Sequence, residues 1–174
     1  MKIHPLTFPD QSDNLKISVS GTVSLGVKGL PVKVVICGSP QWTYDDTVRN
    51  EIIRLRRESR LEGKKLLIIH GGEPGPETVA HEYCKKNGID TIVQAAVKVL
   101  GQNSYFRRNE LILNYHKPDL VIGFAYSFKE SQIVTDMLMR AREKGIEVKA
   151  IDYQSITRRD TDGIPIGAYK CGLI

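Results

Sequence analysis

The sequence predicts an α/β protein in which a mainly parallel, five-stranded sheet lies between two layers of helices. Two observations lead to this prediction. Short apolar segments rich in β-branched residues recur between residues 32 and 152, as expected for strands buried on both faces. Amphipathic segments with helical spacing separate them, and strands that alternate with helices form parallel sheets through right-handed crossovers.

The strands are predicted in regular order, with the first at the centre of the sheet. They are Val32–Cys37, Lys65–His70, Thr91–Val97, Asp119–Ala125 and Glu147–Asp152. A helix follows each of the first four strands. The first helix is predicted from a capping box at Thr43–Asp46, and the others are Pro76–Lys86, ending before Asn87–Gly88, then Ser104–Tyr115 and Lys129–Lys144.

Residues 1–30 differ from this pattern, because they are polar and interrupted by proline and glycine. The alternating segment Lys16–Leu25 predicts a hairpin or edge strand, and a flexible extension is the alternative. Residues 31–174 are predicted to form one ligand-binding domain that ends in a polar, basic tail.

Composition narrows the class of protein. The 174 residues are about one domain, with 41% apolar and 26% charged residues. No segment approaches the roughly 18 apolar residues of a membrane span, and the first residues lack the apolar core of a secretory signal. The widely spaced Cys37, Cys84 and Cys171 fit neither a disulfide framework nor a zinc module. We therefore expect a cytoplasmic protein without a metal site or cofactor, and the net charge of +5 favours anionic ligands.

The turn between the second strand and the second helix carries the most functional information. Gly71, Gly72 and Gly75 allow positive φ and close approach of the backbone to a ligand. The helix behind them begins at Pro76 and offers a positive dipole end that suits phosphate. A tight turn without a ligand is the alternative, since the sequence is neither GxGxxG nor a P-loop.

Several segments together resemble the SLOG superfamily of Rossmann-like nucleotide-binding proteins, in particular its YpsA-related branch. They are Val35–Ser39 with Trp42, the HGGxxGxE pattern over His70–Glu77, Arg108-Asn109, Pro118–Phe124 and parts of Ser131–Ile146. The resemblance covers roughly residues 32–152 and implies a Rossmann-like three-layer sandwich. Pro40 stands where the family usually has arginine, Glu77 replaces aspartate, and Ile133-Val134 replaces a Gly-Thr pair.

The resemblance implies a nucleotide or nucleotide-derived ligand. Its better-known members, the Lonely Guy phosphoribohydrolases and the deoxynucleotide N-hydrolases, cleave the bond between base and sugar phosphate. Glu77 is the catalytic candidate, since a carboxylate stabilises an oxocarbenium-like transition state. The alternative is an acid that only favours the helix dipole.

The remaining candidates are ligand-binding residues. Gly38 and Ser39 form the first turn, where the serine hydroxyl could bind phosphate or cap the local backbone. Arg108 could hold phosphate in a bidentate manner, with a solvated helix face as the alternative, and Asn109 could bind a base or sugar. Trp42 could stack on a base or pack in the interior.

Two functions are therefore considered together. One is hydrolysis of the N-glycosidic bond of a nucleoside 5′-monophosphate or related ribosyl phosphate. The other is a non-catalytic module that senses or sequesters a nucleotide-derived signal. Single-stranded DNA binding is a weaker alternative, because the basic residues between Arg54 and Lys65 have no aromatic platform beside them. The resemblance also implies a homodimer or higher homo-oligomer.

Overall fold

A computed structural model describes residues 29–97, 101, 103–153 and 156, which contain the whole predicted sheet. The strands are β1 (Val32–Gly38), β2 (Leu66–His70), β3 (Asp90–Val93), β4 (Leu120–Ala125) and β5 (Glu147–Asp152). The helices are α1 (Asp45–Leu61), α2 (Pro76–Asn87), α3 (Asn103–Leu111) and α4 (Gln132–Glu143), and α3 continues into a π-helical turn at Ile112–His116.

The five strands form one parallel sheet in the order β3-β2-β1-β4-β5. β1 pairs with β2 on one side and with β4 on the other, with Val35 opposite both Ile69 and Val121. The predicted Rossmann-like α/β fold and the central position of the first strand are confirmed. The strand order reverses at β1, so the ends of β1 and β4 are where a ligand site is expected in such sheets.

Alternate residues of β1 point to opposite faces and divide the interior into two cores. Val34 and Ile36 pack with apolar residues of α1 and α2, including Ile52 and Ala80. Val35 and Cys37 pack on the other face with the π-helical turn and α4. The sheet is therefore buried on both sides, which explains the uninterrupted apolar strands. In the described ranges, no helix combines the length and apolar character that crossing a membrane requires.

Three predicted boundaries are wrong. The capping box at Thr43–Asp46 does not form: Tyr44 is the N-cap residue of α1, and the Thr43 hydroxyl bonds Tyr126 Oη at 2.7 Å. The third strand ends at Val93 because its partner β2 ends at His70, directly opposite. The last helix begins at Gln132 because a hydrogen-bonded turn occupies Ser127–Ser131. The predicted N-terminal hairpin, Cys171 and nearly all of the C-terminal tail lie outside the described residues.

Candidate functional site

A cavity of about 440 Å³ lies at the carboxyl edge of the sheet, beside the end of β1 where the strand order reverses. Its wall combines the β1–α1 turn, the start of α2, the middle of α3 and the first turn of α4. The lining residues are Cys37, Gly38, Ser39, Pro40, Gln41, Glu73, Glu77, Tyr105, Arg108, Glu130, Ser131, Gln132, Ile133 and Val134. The fold thus brings four of the sequence candidates to one cavity: Gly38, Ser39, Glu77 and Arg108.

A buried pair of opposite charges forms part of the wall. Arg108 is only 3% exposed and Glu77 only 2%, and Arg108 Nη1 lies 3.9 Å from Glu77 Oε2. The guanidinium also lies over the ring of Tyr105, at 5.6 Å from its centroid. Its Nε and Nη1 groups have no hydrogen-bond partner within the described ranges. A ligand that accepts hydrogen bonds from these groups would remove the cost of about 1–3 kcal/mol that an unpaired buried donor carries.

Gly71 provides the space that Arg108 occupies. A Cβ atom at this position would overlap Nη1 of Arg108 and lie 2.5 Å from its Cζ. The same Cβ would be 3.0 Å from Glu77 Oε2. Gly71 is therefore required for the charge pair, which is a different role from the ligand contact predicted for it.

Burial is the main influence on the Glu77 carboxyl and raises its pKa above the ordinary value. The Arg108 charge and the backbone N–H groups of Glu73 and Gly71 act in the opposite direction. Glu77 Oε2 accepts a hydrogen bond from Glu73 N at 3.0 Å. The first turn of α2 is thus already occupied by a carboxylate of the chain itself, which lies where the helix dipole favours negative charge.

Gly38 at the end of β1 and the other glycines of the turn after β2 also lie close to protein atoms. A Cβ at Gly38 would overlap the ring of Pro76, and a Cβ at Gly75 would lie 2.8 Å from Ser39 O. These two glycines let the first and second turns approach each other. Gly72 has φ +78°, as the sequence allowed, but its Cβ position lies 3.0 Å from Val93 on β3. Gly71, Gly72 and Gly75 are not among the residues that line the cavity.

His70 holds the glycine turn. Its Nδ1 accepts a hydrogen bond from Gly72 N at 3.1 Å, so its proton is on Nε2, 3.2 Å from Nδ1 of His81. Burial, His81 and Arg108 lower the pKa of His70 to about 4, so the ring is neutral at physiological pH. His70 therefore stabilises the backbone of the glycine turn through its hydrogen bond with Gly72.

The first turn of α4 is the second helix N-terminus at the cavity. The N-cap residue Ser131 makes no capping hydrogen bond through its side chain to any described residue, and the first turn contains no acid. A Cβ at Gly123 would lie 3.0 Å from Val134 Cγ1, which places the valine side chain against β4. Ile133 and Val134 lie in the first turn of α4, whose N–H groups have no partner within the helix.

Trp42 and Asn109 are buried away from the cavity wall. The Trp42 ring packs between Tyr44, Phe124 and Tyr126, which corresponds to the packing alternative. Asn109 Nδ2 donates to Ile133 O at 2.9 Å and to Asp136 Oδ2 at 3.0 Å, so it joins α3 to α4.

Sequence reasoning missed Tyr105 and the first turn of α4 as parts of the wall. Tyr105 is three residues before Arg108 within a predicted helix, a spacing that places both on one face and could have identified it. The described residues hold no cluster of three or more His, Cys, Asp or Glu side chains suited to a metal ion.

Comparison with known proteins identifies a family for part of the chain. Residues 32–97 match the family model YAcAr, described as the YspA, cpYpsA-related SLOG family. This confirms the resemblance over β1 to β3, including the glycine turn and Glu77, and it supports a nucleotide-related function in general terms. No significant match was found among curated protein sequences.

The fold is shared with a solved structure. DNA processing protein A (DprA) from Streptococcus pneumoniae is 22% identical with a TM-score of 0.56, and the match covers 77% of this chain and 53% of that one. The present chain therefore spans about half the length of that protein. TM1055, a structural genomics target, is 16% identical with a TM-score of 0.46, over 67% of this chain and 71% of that one.

Proposed function

Since residues 32–97 match the SLOG family, we propose that the cavity binds a nucleoside 5′-monophosphate or a related ribosyl phosphate. One observation carries the proposal: Arg108 is buried in the wall with two N–H groups that lack a partner among the described residues. A buried guanidinium of this kind binds phosphate oxygens through short, charge-assisted hydrogen bonds. The volume of about 440 Å³ lies within the range of small-ligand sites.

The charges on the wall favour one orientation of this ligand. Glu77 in the first turn of α2 and Glu73 in the loop before it would repel a phosphate there, although the sequence predicted this helix as the phosphate site. The first turn of α4 carries no acid and no capping side chain from the described part of the protein, although Glu130 lies on the wall just before the N-cap residue Ser131. We therefore place the phosphate between α4 and Arg108, and the ribose hydroxyls beside Glu77, where a carboxylate can accept their hydrogen bonds.

Titration calorimetry with ribose 5-phosphate, ribose and AMP tests the binding function. Arg108→Gln is expected to weaken ribose 5-phosphate binding by about 10-fold or more, the usual range for hydrogen bonds to a charged group. Arg107→Gln is the matched control, because Arg107 is exposed one position earlier on the same helix. Circular dichroism shows whether each variant is folded. Equal affinity of a folded Arg108→Gln protein and the wild type for ribose 5-phosphate would remove the proposal.

Hydrolysis of the N-glycosidic bond is the second candidate, favoured by the position of Glu77 on the cavity wall. Its carboxylate would lie beside the ribose and stabilise positive charge that develops at the anomeric carbon. Glu77→Gln should then lower the rate of base release by orders of magnitude while affinity changes little. Glu82→Gln is the control, since Glu82 is exposed on the same helix. Absence of base release from wild type would leave the sensing or sequestering function.

Single-stranded DNA binding remains the weaker proposal. Arg54, within the basic segment of α1, is held by Glu51 and Glu58 at 3.0 and 2.6 Å, as expected for a solvated helix face. Salt-dependent binding of an oligothymidylate at physiological ionic strength would favour it. The homodimer also stays a prediction, to be tested by light scattering at micromolar concentration, and so does the cytoplasmic location.

A further inference from the structure

Three tyrosines form a cluster at the carboxyl edge of the sheet, outside the cavity wall. The members of this tyrosine cluster are Tyr44, Tyr126 and Tyr153. The ring centroid of Tyr44 lies 6.0 Å from that of Tyr126 and 5.8 Å from that of Tyr153, and the last two are 6.0 Å apart. Tyr126 is 39% exposed and Tyr153 is 42% exposed, although both rings are large and partly apolar.

The cluster is continuous with the cavity through two loops. The β1–α1 loop supplies Ser39, Pro40 and Gln41 to the cavity wall and then reaches Tyr44. The loop after β4 begins at Tyr126 and reaches the wall at Glu130. A 2.7 Å hydrogen bond between Thr43 Oγ1 and Tyr126 Oη joins the two loops. A ligand that extends from the cavity across these two loops would reach the tyrosine rings.

The buried Trp42 supports this cluster from inside. Its ring centroid lies 5.6 Å from that of Tyr44 and 5.5 Å from that of Tyr126, while its indole N–H donates to Tyr44 O at 3.2 Å. The indole is thus shielded from a ligand and fixes the rings above it. At this edge of the sheet, a ligand can therefore stack on the exposed tyrosines but not on the indole.

We infer that the tyrosine cluster, through the exposed ring of Tyr126, stacks the base of the ligand whose sugar and phosphate lie in the cavity. The inference rests on the proposed function and identifies the ligand as one that bears a planar, heteroaromatic base. Such stacking is tolerant of base identity, because every base presents a π-face. The cluster would therefore distinguish a nucleotide from a bare sugar phosphate.

The test compares AMP with ribose 5-phosphate, which has a hydroxyl group at the anomeric carbon in place of the base. Wild-type protein is expected to bind AMP at least fivefold more tightly, the lower end of what one stacked base contributes. Tyr126→Ala should remove most of this difference, so it should weaken AMP binding more than ribose 5-phosphate binding. Tyr126→Phe should preserve the difference. Tyr115→Ala is the control, because Tyr115 is 81% exposed and lies on the π-helical turn.

Fluorescence gives an independent readout, since Trp42 is the single tryptophan of the sequence and lies against Tyr126. AMP should change its emission, and ribose 5-phosphate should not. If Tyr126→Ala fails to fold, Tyr126→Leu keeps an apolar side chain against Trp42 but offers no aromatic face.

The outcomes separate the two proposals. If wild type binds both probes equally, or if the Tyr126 variant weakens both by the same factor, the stacking inference is wrong and the proposed function stands. If wild type binds neither probe, the proposed function fails and the inference fails with it.

Discussion

Replacement of Gly71 by alanine tests the most constrained contact in the site. The added methyl group would overlap Arg108 Nη1 and come within 2.5 Å of Cζ, so the guanidinium has to leave its position. Its departure would leave the Glu77 carboxylate buried without its positive partner. The backbone at Gly71 does not have positive φ, so the effect of the substitution arises from this displacement.

The magnitude follows from the fate of the carboxylate. Removing one partner of a buried ion pair costs about 3–5 kcal/mol. Protonation limits this cost to less than about 3.4 kcal/mol at pH 7, the energy needed to neutralise a carboxyl of ordinary pKa 4.5, because burial already raises the pKa of Glu77. We therefore expect Gly71→Ala to lower the free energy of unfolding by about 2–3 kcal/mol at pH 7. At pH 5 the limit is only about 0.7 kcal/mol, so most of the loss should disappear.

Urea denaturation of wild type and variant at pH 5, 6 and 7 measures this difference. Loss of Arg108 from its position should raise the pKa of Glu77 further, so the stability gap should widen as pH rises. Gly29→Ala is the matched control, since its Cβ would make only an ordinary contact, 3.5 Å from Lys64 Cγ. A Gly71→Ala protein as stable as wild type at pH 7, with unchanged affinity for ribose 5-phosphate, would refute the role of the pair.

Three further predictions concern neighbouring residues. Asn109→Asp replaces the amide that donates to Ile133 O and Asp136 by a carboxylate. Urea denaturation should therefore show that the free energy of unfolding falls by about 3 kcal/mol. If the additional substitution Asp136→Asn restored none of this stability, the account would be contradicted. Gly72→Ala should cost about 1–2 kcal/mol because φ is +78°, yet calorimetry should show unchanged ribose 5-phosphate affinity. Because burial raises the pKa of Glu77 in the folded state, ionisation destabilises the wild type as pH rises. Thermal melts from pH 4 to 8 should therefore show that Glu77→Gln gains stability relative to wild type as pH increases. Melting temperatures of the two proteins that change in parallel with pH would contradict the raised pKa of Glu77.

The elements that local sequence determines were predicted closely. The β-branched segment after Pro31 gave β1 to within one residue, and Gly88 ends α2 in the left-handed conformation. Boundaries that depend on distant partners were not predictable in this way. The third strand ends where β2 ends, and Thr43 bonds Tyr126, 83 residues away, instead of capping α1.

In the candidate site, too, some residues could be predicted from the sequence and others could not. The resemblance and the parallel-sheet rule identified Glu77, Arg108, Gly38 and Ser39, which the fold brings to one cavity. They could not show that Trp42 points inward, because a loop has no periodicity from which to read the direction of a side chain. The turn that contains Tyr126 was predicted to be functional, but neither Tyr126 nor Tyr153 was selected as a candidate residue. Their signal was positional, since each directly follows a strand that ends at the carboxyl edge of the sheet.

The central claim is that the cavity holds a phosphate-bearing ribosyl ligand through Arg108. Native mass spectrometry of freshly purified protein, before and after addition of ribose 5-phosphate, tests it most directly. We expect one bound nucleotide or ribosyl phosphate per chain in the wild type and in Arg107→Gln, and greatly reduced occupancy in folded Arg108→Gln. Wild-type protein that carries no such ligand and takes up no ribose 5-phosphate at millimolar concentration would contradict the claim.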